Sequence, residues 1–105
     1  NKDSWRIEKL FSLINSYKKN IHKSGFISLE SDSQIQALLI GSSKDAMHIS
    51  EELLKKSIYI PAIRPPTVKE GSSRLRVSLT VDHEEDDIDY LINILHTISI
   101  NLVQS

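Results

Sequence analysis

Two arginines spaced two residues apart are the residues of this sequence best suited to chemistry. Arg74 and Arg76 lie in a run that ends at Val81 and in which polar and apolar residues alternate. This period of two predicts a strand whose apolar side chains face the core, so both arginines project from the opposite face. A planar, permanently charged guanidinium group is suited to binding a carboxylate or a phosphate. The same spacing is typical of a solvated sheet face, and the spacing alone favours that plainer interpretation.

A proline-containing loop precedes this strand and carries further candidates. Arg64-Pro65-Pro66-Thr67 adds a third guanidinium group and a hydroxyl, and its two prolines stiffen the backbone. The four histidines show no metal-ligand spacing, and the acidic residues that follow Asp82 are typical of a helix start rather than a cation site. The sequence has no nucleophile elbow, phosphate loop or zinc motif. We expect no metal site and no catalytic residue in this chain.

Hydrophobic periodicity predicts the elements that position these residues. The chain begins with a helix over about 4–22 ended by Gly25, followed by a polar connection over 28–33. A buried strand over 35–40 and a helix from Ser42 to about Lys56 come next. An edge strand over 58–63, the arginine strand over 74–81 and a helix capped by Asp82 complete the chain. The first helix should bury the stripe Ile7, Leu10, Phe11, Ile14, Tyr17 and Ile21. The second helix should bury Ala46, Ile49 and Leu53, flanked by Met47 and Leu54. The expected fold class is α+β, two layers, with helices packed on a short, mainly antiparallel sheet.

Composition limits the class of protein and its partners. The chain has 105 residues, 39% hydrophobic and 26% charged, which is typical of one globular domain spanning residues 1–105. A net charge of −1 gives no reason to expect nucleic acid or an anionic membrane as a partner, and no apolar run is long enough to span a bilayer. The absence of cysteine suits a reducing compartment, so we expect a cytoplasmic protein. A start at Asn1, directly before a helix, suggests a piece of a longer chain; processing could also produce such a start, so the composition leaves this point open.

The residues around the arginine strand resemble a family signature. Ile60–Val68 (IPAIRPPTV), Gly71, Arg74–Thr80 (RLRVSLT) and His83 are similar to the C-terminal signature of the α-oxoamine synthases, and within them of the 8-amino-7-oxononanoate synthases. These are fold-type I enzymes that use pyridoxal phosphate (PLP). The resemblance also covers Ser33–Gly41 and Ile88–Leu91, which are similar to the first strand and the closing helix of the family's small domain.

The resemblance implies an activity for the complete protein. It implies that this chain is the C-terminal small domain of a cytoplasmic, homodimeric acyltransferase of biotin biosynthesis. The enzyme would condense L-alanine with a pimeloyl thioester, carried on CoA or acyl carrier protein, and release carbon dioxide to give 8-amino-7-oxononanoate. The family binds PLP in an N-terminal large domain, and its Schiff-base lysine is not in this chain. The chain alone is therefore expected to be inactive.

The resemblance also implies roles for individual residues. Arg76 matches the arginine that holds the amino-acid carboxylate, and Thr67 matches a substrate-contacting threonine. Arg64 and Arg74 occupy neighbouring motif positions and are possible supporting residues, with an ion pair between domains as an alternative role for Arg74. The chain departs from the family at two positions where proline is common, Ala37 and Lys69. Both departures bear on local rigidity rather than on the chemistry.

Other functions remain open at this point. Within the family they are 2-amino-3-ketobutyrate ligase, which uses acetyl-CoA and glycine, 5-aminolevulinate synthase and serine palmitoyltransferase. Their corresponding loops usually lack Arg-Pro-Pro. From another class, the chain could be a non-catalytic module that binds carboxylates or a protein through its arginine face.

Overall fold

The computed structural model describes residues 4–104, and the side chains of residues 4–102, as two layers. The elements are α1 (Ser4–Asn20) continued by a 3₁₀ turn (Ile21–Ser24), β1 (Ile27–Ser28), β2 (Ile35–Gly41), α2 (Ser43–Lys55), β3 (Ala62–Ile63), β4 (Ser73–Ser78) and α3 (Glu85–Gln104). The strands form one antiparallel sheet with the order β1-β2-β4-β3. The predicted fold class is confirmed.

The sheet buries one face because side chains alternate along its two central strands. On β4, Leu75 and Val77 are buried, whereas Arg76 between them is exposed. Leu38 of β2 is the cross-strand partner of Leu75 and lies in the same core. The buried residues of α2 cover this face, and they are the ones that its periodicity predicted: Ala46, Ile49 and Leu53. The opposite face of the sheet carries both arginines, as predicted.

The first helix is buried only in its C-terminal half. Ile7 and Phe11 are 55% and 57% exposed, so the predicted burial of these two residues was wrong. Leu13, Ile14 and Tyr17 are the buried residues of α1. α3 packs against α1 and the 3₁₀ turn, and Leu10 packs against the resulting core, whereas Ile7 and Phe11 stay more than half exposed. Within residues 4–104, no helix is long and apolar enough to cross a membrane.

Several element ends differ from the sequence-based expectations. Ser28, the first residue of the predicted polar connection, belongs to the edge strand β1 and pairs with Leu38. β4 ends at Ser78 rather than at 81, and a turn closed by the His83 N–H bond to Thr80 O follows it. Asp82 does not cap α3, which begins at Glu85 after that turn.

The start of α2 agrees with prediction, and its end adds a detail. Ser42 Oγ accepts a hydrogen bond from Asp45 N at 3.1 Å, which caps the helix. At the other end Ile58 N donates to Leu53 O at 2.9 Å, and Ser57 adopts φ 65°. This arrangement is a Schellman motif in which a serine occupies the left-handed position that glycine usually takes.

Candidate substrate-binding face

The sheet face opposite the core forms a mixed apolar and basic surface, which we call the open face. The pairing of the strands places eight residues on it: Ile27, Ile35, Ala37, Leu39, Ile63, Arg74, Arg76 and Ser78. Ile27 is 68% exposed and Ile35 is 43% exposed, although both lie in strands. Large apolar side chains that are exposed on one face of a sheet are typical of an interface with another protein surface or a ligand.

The two arginines of the open face differ in how they are held. Arg74 is partly buried, and its Nε donates to Ser72 O at 3.1 Å. Arg76 is exposed, and its guanidinium group makes no hydrogen bond or ion pair within residues 4–102. The backbone beneath Arg76 is fixed, because its N–H donates to Pro61 O at 3.0 Å while its strand pairs with β2. Arg76 thus combines a rigid base with an available charged group, which a binding residue requires.

The proline-containing loop connects β3 to β4 and therefore lies at the N-terminal end of β4. Ile63, the last residue of β3, pairs with Arg74, so the loop leaves the sheet beside Arg74 rather than beside Arg76. Arg64 and Thr67 are both exposed, and Thr67 N donates to Arg64 O at 3.0 Å in a turn. Arg64 directly follows the residue that pairs with Arg74, and no hydrogen bond joins Thr67 to Arg76 among the described residues.

A groove of about 480 Å³ borders Arg76 at the β3 edge of the sheet. Its walls are the segment 56–61 and the start of α3, and they include Tyr59, His83 and Tyr90. His83 is partly buried, and its Nδ1 accepts a hydrogen bond from Thr80 N at 3.0 Å. The sequence pattern placed His83 in the solvated first turn of the last helix. Its position five residues after the end of β4, where the imidazole can accept from the freed backbone amide of Thr80, was the available signal.

The chemistry of these residues fits an anion better than a metal or a cofactor. Within the described residues, no group of three or more histidine and carboxylate side chains could hold a metal ion. An unpaired guanidinium group on a rigid strand fits a carboxylate, which it can bind through two parallel hydrogen bonds. None of the eight residues of the open face is a lysine that could attach PLP, and together they suit a carboxylate group.

The family of the chain follows from comparison with known proteins. Residues 4–95 match the family model of aminotransferase class I and II, and the chain belongs to that family. It is 40% identical over 95 residues to an 8-amino-7-oxononanoate synthase of Nitrosomonas eutropha, which covers 90% of this chain and 24% of the relative. It is 44% identical over 90 residues to the enzyme of that name from Alcanivorax borkumensis, covering 86% of this chain and 23% of the relative.

Solved structures agree on the fold. A Sphingomonas wittichii serine palmitoyltransferase superposes with a TM-score of 0.80 at 20% identity, over 90% of this chain and 24% of that one. An 8-amino-7-oxononanoate synthase from Francisella tularensis superposes with a TM-score of 0.74 at 19% identity, over 86% of this chain and 26% of that one. At these identities the likeness establishes the fold alone.

Together these comparisons confirm the resemblance to 8-amino-7-oxononanoate synthases that the sequence motif indicated. The chain spans about a quarter of the length of the curated relatives it matches. The roles of Arg76, Thr67, Arg64 and Arg74 stay predictions.

Proposed function

We propose that this chain is the C-terminal domain of a PLP-dependent synthase that condenses L-alanine with a pimeloyl thioester. The product would be 8-amino-7-oxononanoate, formed with loss of carbon dioxide in biotin biosynthesis. The observation that carries the proposal is the unpaired Arg76 on the open face, within a chain 40–44% identical to enzymes of that name. The acyl carrier, CoA or acyl carrier protein, is decided by parts of the enzyme outside this chain.

In this proposal Arg76 holds the carboxylate of the amino acid. Its strand is fixed on both sides, so the guanidinium group would meet the carboxylate at little cost in ordering. Holding the carboxylate also orients the bonds at the amino-acid α-carbon, where PLP, when bound by the rest of the enzyme, supplies an electron sink. Thr67 would contact substrate from the neighbouring loop, and Arg64 and Arg74 would support the site. Arg74 is better placed than Arg64 for an ion pair between domains, because the bond to Ser72 O already fixes the direction of its guanidinium group.

The open face supports a second part of the proposal, which is that a larger N-terminal domain covers it. The exposed side chains of Ile27 and Ile35 would lose their contact with water when such a domain docks. That docking would place Arg76 in the cleft between the two domains, where a substrate can be closed off from solvent. We further propose that the complete enzyme is a cytoplasmic homodimer, as the family resemblance implies.

The decisive experiment compares substrates with the complete enzyme loaded with PLP. We expect L-alanine and pimeloyl-CoA to give 8-amino-7-oxononanoate and carbon dioxide, with Arg76→Ala losing most of this turnover at low alanine concentrations. Acetyl-CoA with glycine tests the principal alternative within the family, a 2-amino-3-ketobutyrate ligase activity. Faster turnover of acetyl-CoA and glycine than of pimeloyl-CoA and L-alanine would contradict the proposal.

A non-catalytic carboxylate-binding module is the alternative from another class. That alternative predicts that the complete protein binds no PLP and has no large domain. Absorbance of the purified complete protein in the visible range, where PLP bound as a Schiff base absorbs, separates the two cases. A colourless protein that stays colourless after incubation with PLP would favour the module.

A further inference from the structure

The position opposite Arg76 on the neighbouring strand is occupied by an alanine. Ala37 of β2 and Arg76 of β4 are cross-strand partners. The bond from Leu79 N to Gln34 O at 2.8 Å marks residues 34 and 79 as a hydrogen-bonded pair, so the pair 37/76, three steps along, is a non-hydrogen-bonded one. In agreement, Arg76 N donates to Pro61 on the other side of its strand. In non-hydrogen-bonded pairs the two side chains approach most closely, with Cα atoms about 4.5 Å apart.

Ala37 is therefore the smallest of the three β2 side chains on the open face, and it lies directly beside Arg76. Its neighbours on the same face of β2 are Ile35 and Leu39, both much larger than a methyl group. Leu39 is the partner of Arg74, so the two arginines face side chains of very different size. The arginine beside the leucine is tethered to Ser72, and the arginine beside the alanine is unpaired within the described residues.

We propose that Ala37 is a positioning residue for Arg76, a role that rests on the function proposed above. Its small side chain keeps open the space in which the guanidinium group lies level with the sheet and receives the amino-acid carboxylate. A side chain that extends further than alanine, or than the compact ring of the proline that is common in the family at this position, would meet the stem of Arg76 at the distance of a non-hydrogen-bonded pair. The guanidinium group would then tilt away from the sheet and lose one of its two hydrogen bonds to the carboxylate.

The test uses the complete enzyme loaded with PLP and follows the absorbance of the cofactor during titration with L-alanine, so no acyl donor is needed. We expect Ala37→Leu to raise the apparent dissociation constant for L-alanine about tenfold, the loss of one charge-assisted hydrogen bond. Ala37→Val, whose side chain suits a strand, should give a smaller rise in the same direction and covers the case in which the leucine variant does not fold. Leu39→Phe, which enlarges the residue facing Arg74, is the matched control and should change the constant less than twofold to threefold.

A double-mutant cycle separates positioning from general damage. If Ala37 acts through Arg76, Ala37→Leu should weaken alanine binding no further in an Arg76→Ala enzyme. An equal effect of Ala37→Leu in both backgrounds, or an effect of Leu39→Phe as large as that of Ala37→Leu, would overturn the proposal. Wild-type dissociation constants for both Ala37→Leu and Ala37→Val would also overturn it, while leaving the function of Arg76 intact. A wild-type constant for Arg76→Ala itself would overturn the proposed function.

Discussion

Replacing Gly25 by alanine should destabilise this domain more than the same replacement at Gly71. Gly25 ends the 3₁₀ turn with φ 86°, and an alanine Cβ there would lie 2.7 Å from Ser99 Oγ and 3.1 Å from Ser99 Cβ. Gly71 has φ 81°, but a Cβ at that position meets no described atom within 4 Å. The two glycines therefore share a backbone cost and differ in a steric one.

The magnitudes follow from these two costs. An L-residue other than glycine in the left-handed region costs about 1–2 kcal/mol, which is the whole effect expected at Gly71. Crowding of α3 adds about 1–2 kcal/mol at Gly25, because Ser99 can rotate its hydroxyl away but its Cβ moves only with the helix. We expect Gly25→Ala to lower the free energy of unfolding by about 2–4 kcal/mol and Gly71→Ala by about 1–2 kcal/mol.

Urea unfolding of the 105-residue chain, followed by far-ultraviolet circular dichroism at low micromolar concentration, measures both losses. An unchanged slope with urea would attribute the shift in midpoint to stability rather than to the unfolded state. Ser99→Ala removes the nearer of the two crowding atoms, so the extra cost at Gly25 should fall by about half in that background. Equal losses at Gly25 and Gly71, together with no coupling to Ser99→Ala, would refute the close approach of α3 to the turn.

Three further predictions concern other parts of the fold. Ser57→Gly should raise the free energy of unfolding by up to about 1 kcal/mol in urea titrations, because Ser57 holds φ 65° at the end of α2; a loss of stability would contradict this. Burial raises the pKa of the Tyr17 phenol, against a smaller opposing effect of its hydrogen bond to Ser28. Its neutral form is favoured by folding, so this contribution is complete below about pH 10 and is lost as the pH rises through the folded pKa. Tyr17→Phe should therefore lose less stability than the parent chain between pH 9 and pH 11 (about one unit to either side of the ordinary tyrosine pKa), and equal losses would count against the buried phenol. Finally, the isolated chain should self-associate through its open face. Ile27→Lys should weaken this association in light scattering, and Leu54→Lys, on α2, serves as the control. A monodisperse parent chain at high concentration would argue against self-association.

The parts of the fold that could be predicted are those in which one local pattern determines the outcome. The alternation around Leu75 and Val77 gives the strand one apolar face, and that face packs against the core. Both the strand and the placement of the two arginines on its opposite face therefore followed from the sequence. The three-residue and four-residue spacing of Ala46, Ile49 and Leu53 similarly determined which side of α2 is buried. Ser42 satisfied a freed backbone amide, as its type and position indicated.

The predictions were wrong where burial, strand pairing or the start of a helix depends on residues that are distant in the sequence or on the turn before the element. Phe11 continues the apolar stripe of α1 but lies outside the core to which Leu10 and Leu13 of the same helix contribute, so its burial depended on the placement of other elements. The two-residue strand at Ile27 exists only because β2 offers it a free edge. Asp82 has the type of a helix cap, but the turn from Thr80 to His83 places it before the helix begins.

The candidate site was predictable as a surface but not in its details. Periodicity placed Arg74 and Arg76 on one face without separating them, and the family motif singled out Arg76. Their difference in attachment comes from Ser72 O, a backbone group that no side-chain pattern reveals. Likewise, the size of the residue facing each arginine depends on the register between β2 and β4, which is a tertiary property.

The central claim is that Arg76 holds the carboxylate of the amino acid, and a binding titration tests it most directly. The complete enzyme, loaded with PLP, is titrated with L-alanine while the absorbance of the cofactor is followed. We predict that Arg76→Ala raises the dissociation constant about 100-fold. Arg76→Lys should restore part of the affinity, because lysine keeps the charge but lacks the two parallel N–H donors of a guanidinium group. Arg74→Ala should change the dissociation constant only a few-fold. An Arg76→Ala enzyme that binds L-alanine as tightly as the wild type, or an Arg74→Ala enzyme that loses as much affinity as Arg76→Ala, would contradict the claim.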